Sequence, residues 1–163
     1  MAKLDHPFGP LYSEHSKILI LGSFPSVRSR AQNFFYGHPQ NRFWKVIAAE
    51  FGAPVPVSIE EKKELILAHD LALWDSIASS EITGSSDASI RSATANDLSV
   101  ILDNCRIEQI FCNGRKSHEL FHRYIEPAIR REAVCLPSTS PANAQWSLER
   151  LIDAWSVIKG AAR

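Results

Sequence analysis

Residues Ile18-Leu19-Ile20-Leu21 are apolar at every position and stop abruptly at Gly22-Ser23-Phe24-Pro25-Ser26. Alternation would mark a strand with one wet face, whereas an unbroken apolar run marks one covered on both, as in the middle of a parallel sheet. Parallel neighbours need long crossovers, so the rest of the chain must supply helices. The loop leaving such a strand opens on the carboxyl edge of the sheet, where open α/β folds hold their ligands. Here it runs on into Tyr36-Gly37-His38-Pro39-Gln40-Asn41-Arg42-Phe43-Trp44, which places a histidine, an amide, a guanidinium and several aromatics at that edge.

The remaining segments fit this demand. Phe43, Val46, Ile47 and Phe51 recur at helical spacing from Arg42, and Gly52 supplies a stop, with Trp44 and Lys45 expected on other sides of that helix. Ser58-Ile59-Glu60-Glu61 has capping-box spacing and predicts a second helix to His69. Leu71–Trp74 reads as the next strand, closed by Asp75. Ser76 to Ala95 is rich in Ser, Thr and Gly with hardly any apolar period, so it is expected to be a long binding loop. A short helix over 96–103, a strand over 107–112, a helix over 115–125 and a strand over 133–136 follow. The last helix carries one apolar stripe, Leu148, Leu151, Ile152, Trp155 and Ile158. Residues 1–16 are expected on the surface, with Phe8, Leu11 and Tyr12 able to pack on the sheet edge. The alternation predicts an α/β three-layer sandwich: a four-stranded parallel sheet with helices on both faces, crossing over right-handedly.

A chain of 163 residues is long enough for one sizeable core, so a single domain over 1–163 is expected. With 18 basic and 18 acidic residues, net charge neither announces nor excludes a nucleic-acid partner, and any electropositive face must be local. Cys105, Cys112 and Cys135 form no Cys-x-x-Cys pair, which argues against a disulfide framework and against zinc or iron–sulfur ligation. Two of them lie in apolar runs and are expected to be buried thiols. Acidic and proline residues stand where a signal peptide would be apolar, and no run approaches membrane-spanning length. A cytoplasmic, monomeric protein without metal or cofactor is the expectation. Asn113-Gly114-Arg115-Lys116-Ser117 lacks the glycine-rich lead-in of a phosphate loop, and no Gly-x-Ser-x-Gly elbow supports a serine hydrolase.

Three polar clusters follow predicted strands: Ser23 to Asn41, Asn113 to Lys116, and Ser138 to Asn143. In a parallel sheet they share one edge and can converge on one pocket. Gly22-Ser23-Phe24-Pro25-Ser26 with His38-Pro39-Gln40-Asn41-Arg42-Phe43-Trp44, and later Leu136-Pro137-Ser138-Thr139-Ser140-Pro141-Ala142-Asn143, resemble the two active-site motifs of the uracil-DNA glycosylase superfamily. The nearest likeness is to its hypoxanthine-DNA (deoxyinosine) branch, with the mismatch-specific uracil and thymine glycosylases next. The resemblance runs from the first strand to the last helix and implies a DNA repair enzyme that flips a deaminated base out of DNA and hydrolyses its N-glycosidic bond.

The resemblance also assigns roles, with departures. Phe24 stands where relatives place a water-positioning Asp or Asn, and Asn41 is the polar residue the hypoxanthine branch implies instead. An amide is no general base, so Asn41 is expected to orient water and support the sugar cation, or else to cap the helix that starts at Arg42. Ser138-Thr139-Ser140 stands where many relatives carry a base-donating His. That leaves Ser23, His38 and Asn41 as the catalytic candidates, His38 reading equally as a satisfied loop imidazole, with Asp75 as an alternative base. Phe24 or Tyr36 would stack on the flipped base, although Phe34, Phe35 and Tyr36 also read as core. Asn113 would read the base edge or simply precede a turn, and Ser138 and Ser140 would donate to base or phosphate. Pro141, Ala142 and Asn143 occupy the wedge loop without the bulky apolar residue of relatives. Arg28, Arg30, Arg42, Arg115 and Lys116 are the expected phosphate contacts. No lysine lies in either motif to form a Schiff base, so no strand cleavage is expected. The rival reading is a non-catalytic nucleic-acid or nucleotide-binding module on the same fold.

Overall fold

The structure is a computed structural model that describes residues 3–5, 9–23, 34–81 and 91–161. Its main sheet is parallel throughout, in the order β3-β2-β6-β7. Strand β2 (Ile18–Gly22) lies between β3 (Leu71–Asp75) and β6 (Gln109–Asn113), with β7 (Val134–Leu136) beyond. Ile18 to Leu21 have no solvent exposure at all, which is the burial that their unbroken apolar run demands. Gly22 pairs with Asp75, and Cys112 with Cys135, so the strand ends are in register along one edge.

Helix α1 (Phe43–Glu50) buries Phe43, Val46 and Ile47 and stops where Gly52 takes a φ of 64°, as expected. Trp44, expected on another side of the helix, is buried there too. The loop before α1 folds over that side, placing Phe34 in a stack at 6.1 Å and the Phe35 carbonyl 3.3 Å from the indole N–H. Helix α2 (Ile59–Ala68) carries the expected capping box: Ser58 Oγ accepts from Glu61 N–H at 3.1 Å, and the Glu61 carboxylate accepts from Ser58 N–H at 3.2 Å. Short α3 covers Ser99–Leu102. The helix expected over 115–125 is α4 (Arg115–Leu120), widening into a π turn over Phe121–Ile125 before α5 (Glu126–Ile129). Pro127 explains the widening, because it has no N–H and its ring crowds the carbonyl four residues back. The closing stripe forms α6 (Leu148–Trp155), continued after a break at Ser156 by α7 (Val157–Ala161). Trp155 meets Phe43 of α1 edge-on at 5.9 Å, which locks α6 onto α1.

Within the expected binding loop over 76–95, the described residues are mostly strand. Strand β4 (Ile77–Glu81) pairs antiparallel with β1 (Lys3–Asp5) and with β5 (Arg91–Ala95), forming a second sheet in the order β1-β4-β5. The segment lacks an apolar alternation because it is held by backbone pairing and one anchor. Ile77 is fully buried, and Asn96 Nδ2 donates to the Asp75 and Ile77 carbonyls at 2.8 and 3.3 Å. Leu11, placed near the sheet edge by its apolar character, exchanges two hydrogen bonds with Leu73 at 2.9 and 3.0 Å. Phe8 lies outside the described residues. Of the cysteines only Cys112 is fully buried, and burial pushes its thiol up to about 12, whereas Cys135 is exposed on edge strand β7.

Glu50, on α1, is a buried carboxylate with Lys159 Nζ 3.8 Å from Oε1. Its Oε2 has no partner among the described residues. Burial raises its pKa from 4.5 to about 7 against the pull of Lys159. The folded state therefore holds a proton that the unfolded chain releases, so this group's contribution to stability falls as pH rises from about 4.5 to about 7. Glu50→Gln is expected to melt above the parent at pH 8, with the gap narrowing toward pH 5 in thermal scans. A lower melting temperature at pH 8 would mean that the Lys159 pairing outweighs the burial.

Candidate active site

The loop before α1, the carboxyl end of β6 and the turn after β7 meet around Thr139, a side chain with no solvent exposure. Thr139 N–H donates to Asn113 Oδ1 at 3.0 Å, and Asn113 Nδ2 donates back to Thr139 Oγ1 at 3.0 Å. The Thr139 hydroxyl then donates to Asn41 Oδ1 at 2.8 Å, and Asn41 Oδ1 also accepts from Phe43 N–H at 2.9 Å. Arg42 N–H donates to the Thr139 carbonyl at 3.0 Å. One residue thus joins the loop before α1, the end of β6 and the loop after β7. Asn113, a candidate reader of the base, has both ends of its amide engaged by Thr139. Arg42 holds the N-cap position of α1, and Asn41, one residue earlier, accepts from the first helical N–H, that of Phe43, through its oxygen.

Two glycines let these ends approach. A Cβ on Gly22 would collide with Asp75 Oδ1 and lie 3.2 Å from the Tyr36 hydroxyl. Gly114 has a φ of 96° and a ψ of 162°, a region closed to other residues, and a Cβ there would come within 3.0 Å of Ser138 Cβ. Ser23 continues β2, its carbonyl accepting from Ile77 N–H at 3.0 Å. Asp75 is buried beneath the same edge.

Tyr36 is half-exposed with a φ of 53°, a conformation that costs free energy in a bulky residue. Its ring stacks on Phe43 at 4.0 Å, so one face is already covered, while Phe34 and Phe35 are buried in the core. The hydroxyl is buried without a hydrogen-bond partner among the described residues. Burial, reinforced by the nearby charge of Asp75, holds the phenol far above its ordinary range. The adjacent Asn113 amide lowers it slightly without reaching hydrogen-bonding geometry. The phenol therefore stays protonated.

The other candidates build the loops. His38 Nδ1 accepts from Gln40 N–H at 3.1 Å, and its carbonyl accepts from Asn41 N–H at 3.0 Å, which is the satisfied loop imidazole of the two readings. A neutral His38 therefore keeps its proton on Nε2. Ser138 Oγ accepts from Ser140 N–H and Ser140 Oγ from Ala142 N–H, each at 3.1 Å, starting a 3₁₀ turn over Pro141–Asn143. Asn143 Nδ2 donates to the Ser138 carbonyl at 3.0 Å. Ala142 is exposed at the tip of this loop.

Arg42 is corrected by the structure. Its guanidinium donates to the carbonyls of Ser140 and Asn143, each at 3.1 Å, and to that of Trp146, so it straps the loop instead of facing a phosphate. Arg115 is exposed at the start of α4 and lines a groove of about 630 Å³ with Ser138, Ser140, Asn143 and Trp146. Lys116 lies 3.9 Å from Glu119 Oε2. Arg150, not foreseen, stacks its guanidinium 4.1 Å from the Trp146 ring. Phe24, Arg28 and Arg30 lie outside the described residues. Among those described, no group of three His, Cys, Asp or Glu is placed to hold a metal, and no helix is long and apolar enough to cross a membrane.

A sequence model of the uracil DNA glycosylase superfamily matches residues 10–159. The chain belongs to that superfamily. Two relatives named hypoxanthine DNA glycosylase share this sequence along most of their length. One, from Methanosarcina acetivorans, is 34% identical over 88% of this chain and 90% of its own. The other, from Methanosarcina barkeri, is 30% identical over 91% of this chain and 94% of its own. The solution NMR structure of a candidate uracil DNA glycosylase from Methanosarcina acetivorans superposes with a TM-score of 0.78 at 29% identity, covering 96% of this chain and 97% of that one. The α/β fold and the superfamily expected from the two motifs are both borne out, and the residues around Thr139 are where those motifs meet.

Thr139 is the residue that sequence reasoning passed over. It stands between Ser138 and Ser140, whose hydroxyls are the ones that read as donors in the sequence. Alternation carried a signal here: in an extended turn, neighbours of outward-facing serines point inward.

Proposed function

We propose that this protein is a monofunctional DNA glycosylase that hydrolyses the N-glycosidic bond of a deaminated base, hypoxanthine first. The supporting observation is the junction at Thr139, which holds the half-buried Asn41 amide at the carboxyl edge, and both relatives at 30% identity or more are named for hypoxanthine. A flipped base loses its stacking and needs new partners for its ring and its polar edge. Asn41 supplies N–H donors that suit a carbonyl, and adenine, with an amino group in that place, is refused. Asp75 brings a carboxylate to the same edge, where negative charge favours the cationic sugar of the transition state. The exposed Arg115 and the Arg150–Trp146 pair border the wedge loop and suit a phosphate backbone.

Matched duplexes holding one deoxyinosine or one deoxyuridine, incubated with the protein and then cleaved with alkali at the abasic site, test the reading. Hypoxanthine is expected to be released faster. Faster release of uracil would move the substrate to the pyrimidine, and release of neither would favour a non-catalytic binding module. Strand breaks before alkali treatment would contradict simple hydrolysis.

A further inference from the structure

The hydrogen-bond directions around Thr139 are fixed by groups that have no choice of role. A backbone N–H only donates, so the Asn41 atom 2.9 Å from Phe43 N is its oxygen, and the Asn113 atom 3.0 Å from Thr139 N is likewise oxygen. Asn113 Nδ2 must then donate to Thr139 Oγ1, which leaves the threonine proton for Asn41 Oδ1 at 2.8 Å. An amide oxygen has two lone pairs, and both on Asn41 are now filled. Its Nδ2 has no acceptor among the described residues, and the side chain is half-exposed at the edge of the sheet. All that Asn41 can offer a substrate is N–H.

We propose that Thr139 is a positioning residue that holds Asn41 as a donor to the departing base, so that Asn41 stabilises the leaving group instead of aligning the attacking water. This rests on the glycosylase reading above. When the C1′–N bond breaks, its electron pair goes to the base and spreads over the ring nitrogens and the carbonyl oxygen. The oxygen of water bonds to C1′, and the proton it gives up ends on the released base. Donors aimed at the carbonyl stabilise the charge as it develops, as in an oxyanion hole. A donor suits the attacking water poorly, because it engages the oxygen lone pairs that must form the new bond. The same polarity gives selectivity, since the amino group of adenine would meet N–H with N–H.

Single-turnover excision of hypoxanthine, duplex affinity and thermal melting, measured on three variants and the parent, test this. Asn41→Asp keeps an acceptor for Phe43 N–H and for the Thr139 hydroxyl but removes the donors. It is expected to lose about a hundredfold or more in rate, with melting temperature and duplex affinity close to the parent. Carboxylates are better bases than amides, so an Asn41→Asp variant as fast as the parent would overturn the inference in favour of water positioning. Thr139→Val is expected to slow excision by about tenfold with unchanged affinity, and Thr139→Ser to restore it, at the scale of one lost hydrogen bond. Equal rates in all three proteins would remove Thr139 from the mechanism. Should Thr139→Val fail to fold, Asn41→Asp alone still decides the polarity. A parent that releases no hypoxanthine would instead sink the glycosylase reading, and this inference with it.

Discussion

Asn41→Ala is expected to excise hypoxanthine about two to three orders of magnitude more slowly than the parent in single turnovers, the range for losing one preorganised donor. Binding to the same duplex should change little, because no phosphate contact is removed. The substitution also takes the acceptor from Phe43 N–H at the start of α1 and strands the Thr139 hydroxyl. A stability loss of about 1 kcal/mol should accompany the rate loss, the usual size for a missing helix cap. Helix support and catalysis, alternatives when only the sequence is read, fall to opposite ends of one amide in the proposed reading: the oxygen accepts from Phe43 N–H, and the nitrogen is left to donate to the base. Rate per folded molecule separates them. An Asn41→Ala protein that is less stable but excises within tenfold of the parent would reduce Asn41 to a cap.

The parts of this molecule that were legible in the sequence are those fixed by burial or by local hydrogen bonding. Ile18–Leu21 had to be covered on both sides, Ser58 and Glu61 could cap only each other's turn, and Gly52 could end a helix where few residues can. What was missed depends on partners far along the chain. Arg42 reads as a surface cation until the carbonyls of Ser140, Asn143 and Trp146 are brought to it. Asn113 reads as a free amide until Thr139 is found to engage one donor and one acceptor of it. The second sheet was invisible for another reason: β4 and β5 are paired by their backbones with little apolar alternation, and periodicity reports only side chains that face a core. The edge where the two motifs meet was thus legible, while the contacts within it had to wait for the geometry.

Arg42→Lys is the substitution for which the two readings of that residue differ most. A guanidinium is a planar fork that can serve several acceptors at once, whereas an ammonium is a point charge on a flexible stem. In a phosphate contact the exchange keeps the charge, so affinity should fall modestly and stability should hold. In a strap it should fail, because one ammonium cannot replace bonds to three carbonyls at positions 140, 143 and 146. The carbonyls left unpaired, partly rehydrated because Arg42 is only half-buried, correspond to about 2–3 kcal/mol of lost stability. Urea unfolding of the variant measures this directly. The loss should extend to catalysis, since the loosened loop carries Thr139, and with it the orientation of Asn41. A variant with parental stability and a modestly weaker affinity for duplex at unchanged salt dependence would return Arg42 to the phosphate backbone and leave the loop after β7 to hold itself.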